Sequence, residues 1–186
     1  VSLSIPKGEF FALLGHNGAG KSTLINCVNT LCIPTSGQIF INGFDLSAQT
    51  YQAKKSLGVV PQEINLDSFQ TVMEIMLFQG GCYGLTPKES KINAVKRLKE
   101  VSLWDKRNSQ VRFLSGGMKR RLMIARSLIH NPKVLFLDEP TAGVDIEIRH
   151  QMWDLMRDLN KNEGITIILT THHLEEAEYL CEKIAI

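Results

Sequence analysis

The sequence predicts an α/β fold, a mostly parallel sheet with flanking helices, plus an inserted α-helical subdomain. Apolar runs such as residues 134–137 are typical of strands buried in a parallel sheet. Helical spacing of apolar residues alternates with such runs, as at residues 148–159. The stretch from about 72 to 128 has helical character throughout. We therefore predict one domain over 1–186, with core α/β parts at about 1–62 and 130–186 and the helical subdomain at about 63–129.

The chain opens with two predicted strands and a predicted helix. Residues 1–5 alternate apolar and polar side chains, and residues 10–14 form an apolar run, so each segment predicts a strand. Residues 24–28 have the amphipathic pattern of a helix. A glycine-rich loop at 15–23 therefore joins a strand to a helix N-terminus.

This loop has the pattern Gly-x-x-x-x-Gly-Lys-Ser, which in that context predicts a phosphate-binding P-loop. Glycine lets the backbone approach a ligand closely, and the N–H groups at a helix N-terminus attract an anion. Lys21 is expected along the β- and γ-phosphates, Ser22 on Mg²⁺, and Thr23 near the α-phosphate. We therefore predict a P-loop NTPase, whose nucleotide-binding residues would be Gly15, His16, Asn17, Gly18, Ala19, Gly20, Lys21, Ser22 and Thr23.

Short strands and turns follow, and then helices. Residues 38–41 and 57–60 predict strands, and Asn42-Gly43 predicts a tight turn. Thr86-Pro87-Lys88-Glu89 is a capping-box pattern with proline at the first helical position. An apolar residue then recurs every three positions and predicts a one-sided stripe, formed by Ile92, Val95, Leu98 and Val101.

Two carboxylates end the apolar strand at 134–137. Ligands in open α/β sheets bind at the carboxyl ends of strands, so Asp138 and Glu139 are expected to face the phosphates. One carboxylate is needed to hold Mg²⁺ and a second to position or deprotonate the attacking water. We assign the first role to Asp138 and the second to Glu139.

Composition excludes several classes of protein. With 21 basic and 19 acidic residues the net charge is +2, which does not indicate nucleic acid as an obligatory partner. The basic run at 119–121 is expected to be a solvated helix face. The four cysteines have neither zinc nor disulfide spacing and favour a reducing cytosol.

Because the chain lacks an initial Met and stops within an apolar run, we expect it to be part of a longer polypeptide.

The stretch Leu-Ser-Gly-Gly-Met at 114–118 opens a predicted helix. Serine is a good N-cap, so its presence alone does not distinguish an ordinary helix start from an anion site. The other motifs of the chain distinguish the two possibilities. The sequence contains, in order, the P-loop, Gln62 after a strand, residues 114–118, Leu-Phe-Leu-Asp-Glu-Pro at 135–140, Ala-Gly-Val-Asp at 142–145 and Thr-His at 171–172. Together these motifs resemble the ATP-binding cassette (ABC) ATPases, with finer similarity to cytosolic ATPase subunits of multidrug-type exporters.

The resemblance implies a head-to-tail dimer, from two copies or two different cassettes, in which each ATP and Mg²⁺ lie between subunits. Ser115, Gly116 and Gly117 of one copy would cover the γ-phosphate held by the other. Gln62 would contact Mg²⁺ or the attacking water, and Asp145 would lie at the dimer seam. His172, chosen over His173 by family spacing, would hydrogen-bond the γ-phosphate and orient Glu139. An aromatic residue that stacks on adenine in the family would precede residue 1.

The implied function is an ATPase on the cytoplasmic side of a membrane, powering transport, and export rather than import, through a separate integral membrane subunit. That subunit would dock within residues 64–83, although the apolar residues there are equally compatible with a core: Phe69, Met73, Met76, Leu77 and Phe78. One alternative is a soluble cassette acting on nucleic acid or the ribosome. Another is an inactive cassette with a structural role. Neither nucleic acid nor a structural metal is expected.

Overall fold

The structure, a computed structural model, describes residues 2–16 and 18–186. The described chain forms two compact units. The first comprises the residues up to Gln62, Lys133–Ala142 and Met156–Ile186, and the second comprises Glu63–Pro132 and Gly143–Leu155. The predicted core part 130–186 therefore differs from the observed division at residues 143–155. The reason is local packing, since Leu155 packs against the apolar cluster of the second unit.

The first unit is built on a five-stranded sheet with the order β4-β5-β6-β1-β7. Every pair of neighbouring strands in it is parallel, as predicted. The buried face carries apolar side chains such as Leu57 and Phe136. The strands are β1 (Phe10–Leu14), β4 (Leu57–Val60), β5 (Val134–Asp138), β6 (Thr166–Thr171) and β7 (Lys183–Ala185).

A small hairpin accompanies the sheet, formed by β2 (Phe40–Ile41) and β3 (Phe44–Asp45). Its turn is the predicted Asn42-Gly43 pair, with φ angles of 51° and 84°. Two central residues with positive φ are what a type I′ hairpin turn requires. Residues 38 and 39 lie outside the strand, which is therefore shorter than predicted.

The helices of the first unit lie where the alternating pattern places them, with one addition. They are α1 (Lys21–Val28), α2 (Thr50–Lys55), α7 (Leu174–Leu180) and the end of α6 (Ile146–Glu163). The sequence patterns do not predict α2. The predicted strand at residues 1–5 is wrong for residues 2–5, which form no strand, and Val1 is outside the described residues.

The second unit is helical. Its helices α3 (Val72–Cys82), α4 (Pro87–Glu100) and α5 (Gly116–Ser127) enclose a separate apolar core, with two single-turn 3₁₀ helices at Trp104–Lys106 and Val111–Phe113. Both Thr86 and Thr71 form complete capping boxes, with Glu89 and Glu74 respectively. Among the helices of the described chain, none is long and apolar enough to cross a membrane.

Two surface predictions in this unit are wrong. Ile92 is 59% exposed, because a three-residue spacing turns steadily away from one face of a 3.6-residue helix. The buried residues of α4 are instead Ser90, Ala94, Arg97 and Leu98. In the basic run, Arg120 is 4% exposed, and Lys119 and Arg121 are half-buried, so the run is not a solvated face.

Candidate functional site

Four neighbouring strands deliver the predicted site residues to one edge of the sheet. The register pairs Val60 with Leu137, Asp138 with Thr170, and Thr171 with Leu14. Because these strands are parallel, the residues that follow them leave the sheet on the same side. Gln62 follows β4, Glu139 follows β5, His172 follows β6, and the glycine-rich loop follows β1.

Two of these residues converge on the Glu139 carboxylate. The Nε2 amide of Gln62 donates to Oε2 at 3.1 Å, and Nδ1 of His172 lies 3.0 Å from Oε1. Glu139 is 9% exposed, whereas the side chain of His172 is 42% exposed. One carboxylate is thus held at both oxygens by the ends of two other strands. Such fixed geometry is what a group that positions water requires.

The backbone at Glu139 has an uncommon conformation. Its φ of 43° lies in the left-handed region, which costs a residue with a side chain about 1–2 kcal/mol. The surrounding bonds compensate, since the Glu139 N–H donates to the Thr170 carbonyl at 3.0 Å and the Ala142 N–H donates to the Glu139 carbonyl at 3.1 Å. The turn therefore directs Glu139 away from the line of β5 while keeping it attached to β6.

Asp138 is oriented by Thr170, a residue that the sequence analysis does not single out. The Thr170 hydroxyl donates to Oδ1 of Asp138 at 2.6 Å, and the residue is fully buried. Its sequence context is a run of β-branched residues in β6, where threonine is an ordinary strand former. Only the pairing of β5 with β6 makes its role visible.

The glycine-rich loop uses its glycines in different ways. Gly18 and Gly20 have φ angles of 87° and 94°, which favour glycine. Gly15 is not among the residues with positive φ, and a Cβ there would lie 3.2 Å from the Cβ of Ala19. At Gly15 the constraint is therefore close approach to Ala19, whereas at Gly18 and Gly20 it is the backbone angle.

Helix α1 begins at Lys21, three residues before the predicted segment 24–28, so the last residues of the glycine-rich motif form its first turn. The Lys21 ammonium donates to the carbonyls of Gly15 and of His16, the latter at 3.1 Å. Ser22 and Thr23 are exposed in the first turn. Asn17, which the sequence places in the nucleotide site, lies outside the described residues. The loop thus presents a cation, two hydroxyls and the N-terminal N–H groups of a helix, all of which suit a phosphate.

Ser115, in the second unit, is the N-cap of α5, and its hydroxyl accepts the Met118 N–H at 3.3 Å. Gly116 has open space at its missing Cβ. At Gly117 a Cβ would lie 2.8 Å from Cγ2 of Ile148, so packing within this unit requires a glycine. Asp145 accepts the Ile148 N–H at 2.9 Å and so stabilises the start of α6.

The apolar residues between 64 and 83 divide into two groups. Met76 is fully buried and Met73 packs beside it, so these two belong to the core of the second unit. Phe69 and Phe78 are 71% and 67% exposed, and Leu77 is 36% exposed. The Arg112 guanidinium lies 5.6 Å from the Phe69 ring centre and 4.8 Å from that of Phe113. Arg112 thus lies near both Phe69, from the exposed group, and Phe113, from the second 3₁₀ helix.

Comparisons with known proteins agree with this geometry. A family model described as ABC transporter matches residues 1–142. Among curated proteins, the chain is 42% identical to the linearmycin resistance ATP-binding protein LnrL of Bacillus subtilis and 44% identical to the Nod factor export ATP-binding protein I of a Rhizobium species. Both matches cover all of this chain but only 60% and 61% of the relatives' lengths.

Solved structures show the same fold. CbiO1 of Clostridium perfringens, part of the ABC transporter complex cbiONQ, superposes with a TM-score of 0.89 at 32% identity, over 99% of this chain and 75% of its own. The ATP-binding cassette MJ0796, in a dimeric post-hydrolysis state bound to ADP and Pi, gives a TM-score of 0.84 at 30% identity, over 98% and 82%. The strand-edge cluster, the family match and these likenesses lead to one conclusion: the chain belongs to the ABC transporter family.

Proposed function

We propose that this protein binds ATP with Mg²⁺, hydrolyses it between two copies or two different cassettes, and thereby drives transport through a separate membrane subunit. The observation that carries the proposal is the Glu139 carboxylate, which is held by Gln62 and His172. His172 follows β6, the strand that pairs with β1, and β1 leads into the phosphate loop. Residues 1–186 would act as one cassette domain in this function.

In the proposed reaction, Glu139 accepts a proton from water or orients it for in-line attack on the γ-phosphate. His172 and Gln62 fix the direction of the carboxylate. Because an ionised carboxylate only accepts hydrogen bonds, His172 must carry a proton on Nδ1 in this contact. Lys21 and the loop N–H groups would counter the charge that builds up on the phosphate oxygens.

The oxygen donors of the first unit fit Mg²⁺. Asp138, oriented by Thr170, offers a carboxylate, and Ser22 and Gln62 offer a hydroxyl and an amide oxygen. Oxygen ligands of this kind are those that Mg²⁺ takes up together with substrate phosphates. When bound, the ion would neutralise phosphate charge. What this chain contributes to metal binding is an Asp138 carboxylate oriented by Thr170.

The signature residues would act on the nucleotide of a second copy. Ser115, Gly116 and Gly117 open α5, whose N-terminal N–H groups and the Ser115 hydroxyl can bind the γ-phosphate. Dimeric structures of the related cassette MJ0796 support such an arrangement. Asp145 would lie at the seam between the two copies.

The membrane subunit is proposed from the relatives and from one surface. The names of two relatives refer to Nod factor export and linearmycin resistance, which favours export over a role on nucleic acid or the ribosome. The exposed side chains of Phe69, Leu77 and Phe78 offer a docking surface. The ATPase would then work at the cytoplasmic face of the membrane, as a peripheral subunit.

The dimer proposal is tested by light scattering on the full-length protein with ATP and Mg²⁺. The Glu139→Gln variant should form an ATP-dependent dimer that persists, because hydrolysis no longer reopens it. Adding Ser115→Arg should abolish the dimer while a fluorescent ATP analogue still binds each monomer. Full ATPase activity in Ser115→Arg as a monomer would contradict the composite site.

A further inference from the structure

A buried carboxylate lies next to the site without being part of it. Glu176, on α7, is 1% exposed, and its Oε1 accepts the Thr141 hydroxyl at 2.7 Å. Thr141 is equally buried. A carboxylate is costly to bury unless it is hydrogen-bonded, and a charge-assisted bond of this length is among the stronger ones. This hydrogen bond therefore stabilises the positions of Thr141 and Glu176.

The bond connects the two segments that carry Glu139 and His172. Thr141 follows Glu139 by two residues, and Glu176 follows His172 by four. The strands β5 and β6 are paired only as far as Asp138 and Thr170, so both catalytic side chains lie just beyond the paired region. Past that point the Thr141–Glu176 bond joins the turn after β5 to α7.

We propose that Glu176 is a positioning residue, which sets the distance between Glu139 and His172 through its bond to Thr141. The four residues form a closed path. The chain runs from Glu139 to Thr141, and the Thr141 hydroxyl donates to Glu176. From Glu176 the chain leads back to His172, whose Nδ1 lies 3.0 Å from Oε1 of Glu139. The inference rests on the proposed role of Glu139 in ATP hydrolysis.

The surroundings of Glu176 favour fixed geometry over solvent exchange. Burial raises the pKa of the nearby Cys181 thiol to about 12, with an additional contribution from the Glu176 charge. Glu176 and Thr141 are each 1% exposed, so their hydrogen bond is shielded from solvent although the neighbouring Cys181 is only half-buried. The side chains of Glu175 and Glu178, on the same helix, are exposed and provide matched controls.

The test uses the full-length protein and measures kcat together with nucleotide affinity. Thr141→Val keeps the shape of the side chain and removes the hydroxyl, so it should fold. It should lower kcat by about 10- to 100-fold, the scale for a misplaced catalytic group. The dissociation constant for ATP should change less than about twofold, since neither residue belongs to the phosphate loop. Thr141→Ser should restore kcat, Glu176→Gln should reproduce the loss in part, and Glu178→Gln should leave kcat unchanged.

A double-mutant comparison separates positioning from general destabilisation. In the Glu139→Gln background, adding Thr141→Val should lower the residual turnover no further, because the group being positioned is already gone. Wild-type kcat in Thr141→Val, or an additional loss in that background, would overturn the inference while leaving the proposed function intact. Wild-type kcat in Glu139→Gln itself would instead overturn the proposed function.

Discussion

Nδ1 of His172 lies 3.0 Å from Oε1 of Glu139, so the segment after β6 contacts the carboxylate that follows β5. Gln62 holds the other oxygen. These three residues lie far apart in the sequence and meet because their strands are neighbours in one parallel sheet.

Replacing His172 by alanine should lower ATP turnover by about 10- to 100-fold, because one side of the Glu139 carboxylate loses its contact. Nucleotide affinity should stay within a few-fold, as measured by calorimetry. His173→Ala is the comparison variant: the backbone N–H of His173 donates to the Thr171 hydroxyl, and its ring lies beside the His172 ring with centres 4.0 Å apart, so we expect a smaller loss than in His172→Ala. Equal losses in the two variants would contradict the assignment of His172.

Thr170→Val should raise the Mg²⁺ concentration needed for half-maximal ATPase activity. The variant keeps the β-branched shape but removes the hydroxyl that holds Oδ1 of Asp138 at 2.6 Å. Mg²⁺ titrations of the steady-state rate would show the shift. Thr170→Ser retains the hydroxyl and should behave as the wild type. A normal Mg²⁺ dependence in Thr170→Val would contradict the proposal that the Thr170 hydroxyl orients Asp138 for Mg²⁺ binding.

Gly117→Ala should destabilise the protein by about 1–3 kcal/mol, the usual cost of overpacking. Its new Cβ would lie 2.8 Å from Cγ2 of Ile148, an atom on a β-branched side chain with little freedom to move. Gly116→Ala has open space and should cost far less. Urea unfolding would compare the two. Combining Gly117→Ala with Ile148→Ala should cost less than the two single changes summed.

Arg97→Ala should destabilise the protein by roughly 1–3 kcal/mol, because it removes a buried hydrogen-bonding group. The guanidinium is 1% exposed and donates to the Leu128 carbonyl at 3.2 Å and to Oδ1 of Asn131 at 2.8 Å. Arg97 also pairs with Glu100 at 2.9 Å. The neighbouring Lys96 is 52% exposed and pairs with the same Glu100 at 3.7 Å, so Lys96→Ala should cost under about 1 kcal/mol. Equal midpoints in denaturant for both variants would contradict this account.

Sequence patterns predict the sheet well because each central strand is a short apolar run with a distinct end. They also locate Glu139, Gln62 and His172, since a motif carries each of them. They miss Thr170 and Glu176, whose importance comes from partners more than thirty residues away. Ile92 and Arg120 are misassigned for a related reason: which helix face is buried depends on the neighbouring helices, and a local pattern does not contain them.

The most direct test of the central claim is the ATPase rate of Glu139→Gln measured beside its affinity for ATP. The amide keeps the size of the side chain and its contact with His172 but cannot accept a proton. We expect turnover to fall by about 10²- to 10⁴-fold, the scale for loss of a general base, with ATP binding preserved. Turnover equal to that of the wild type would contradict the role of Glu139 and with it the proposed mechanism.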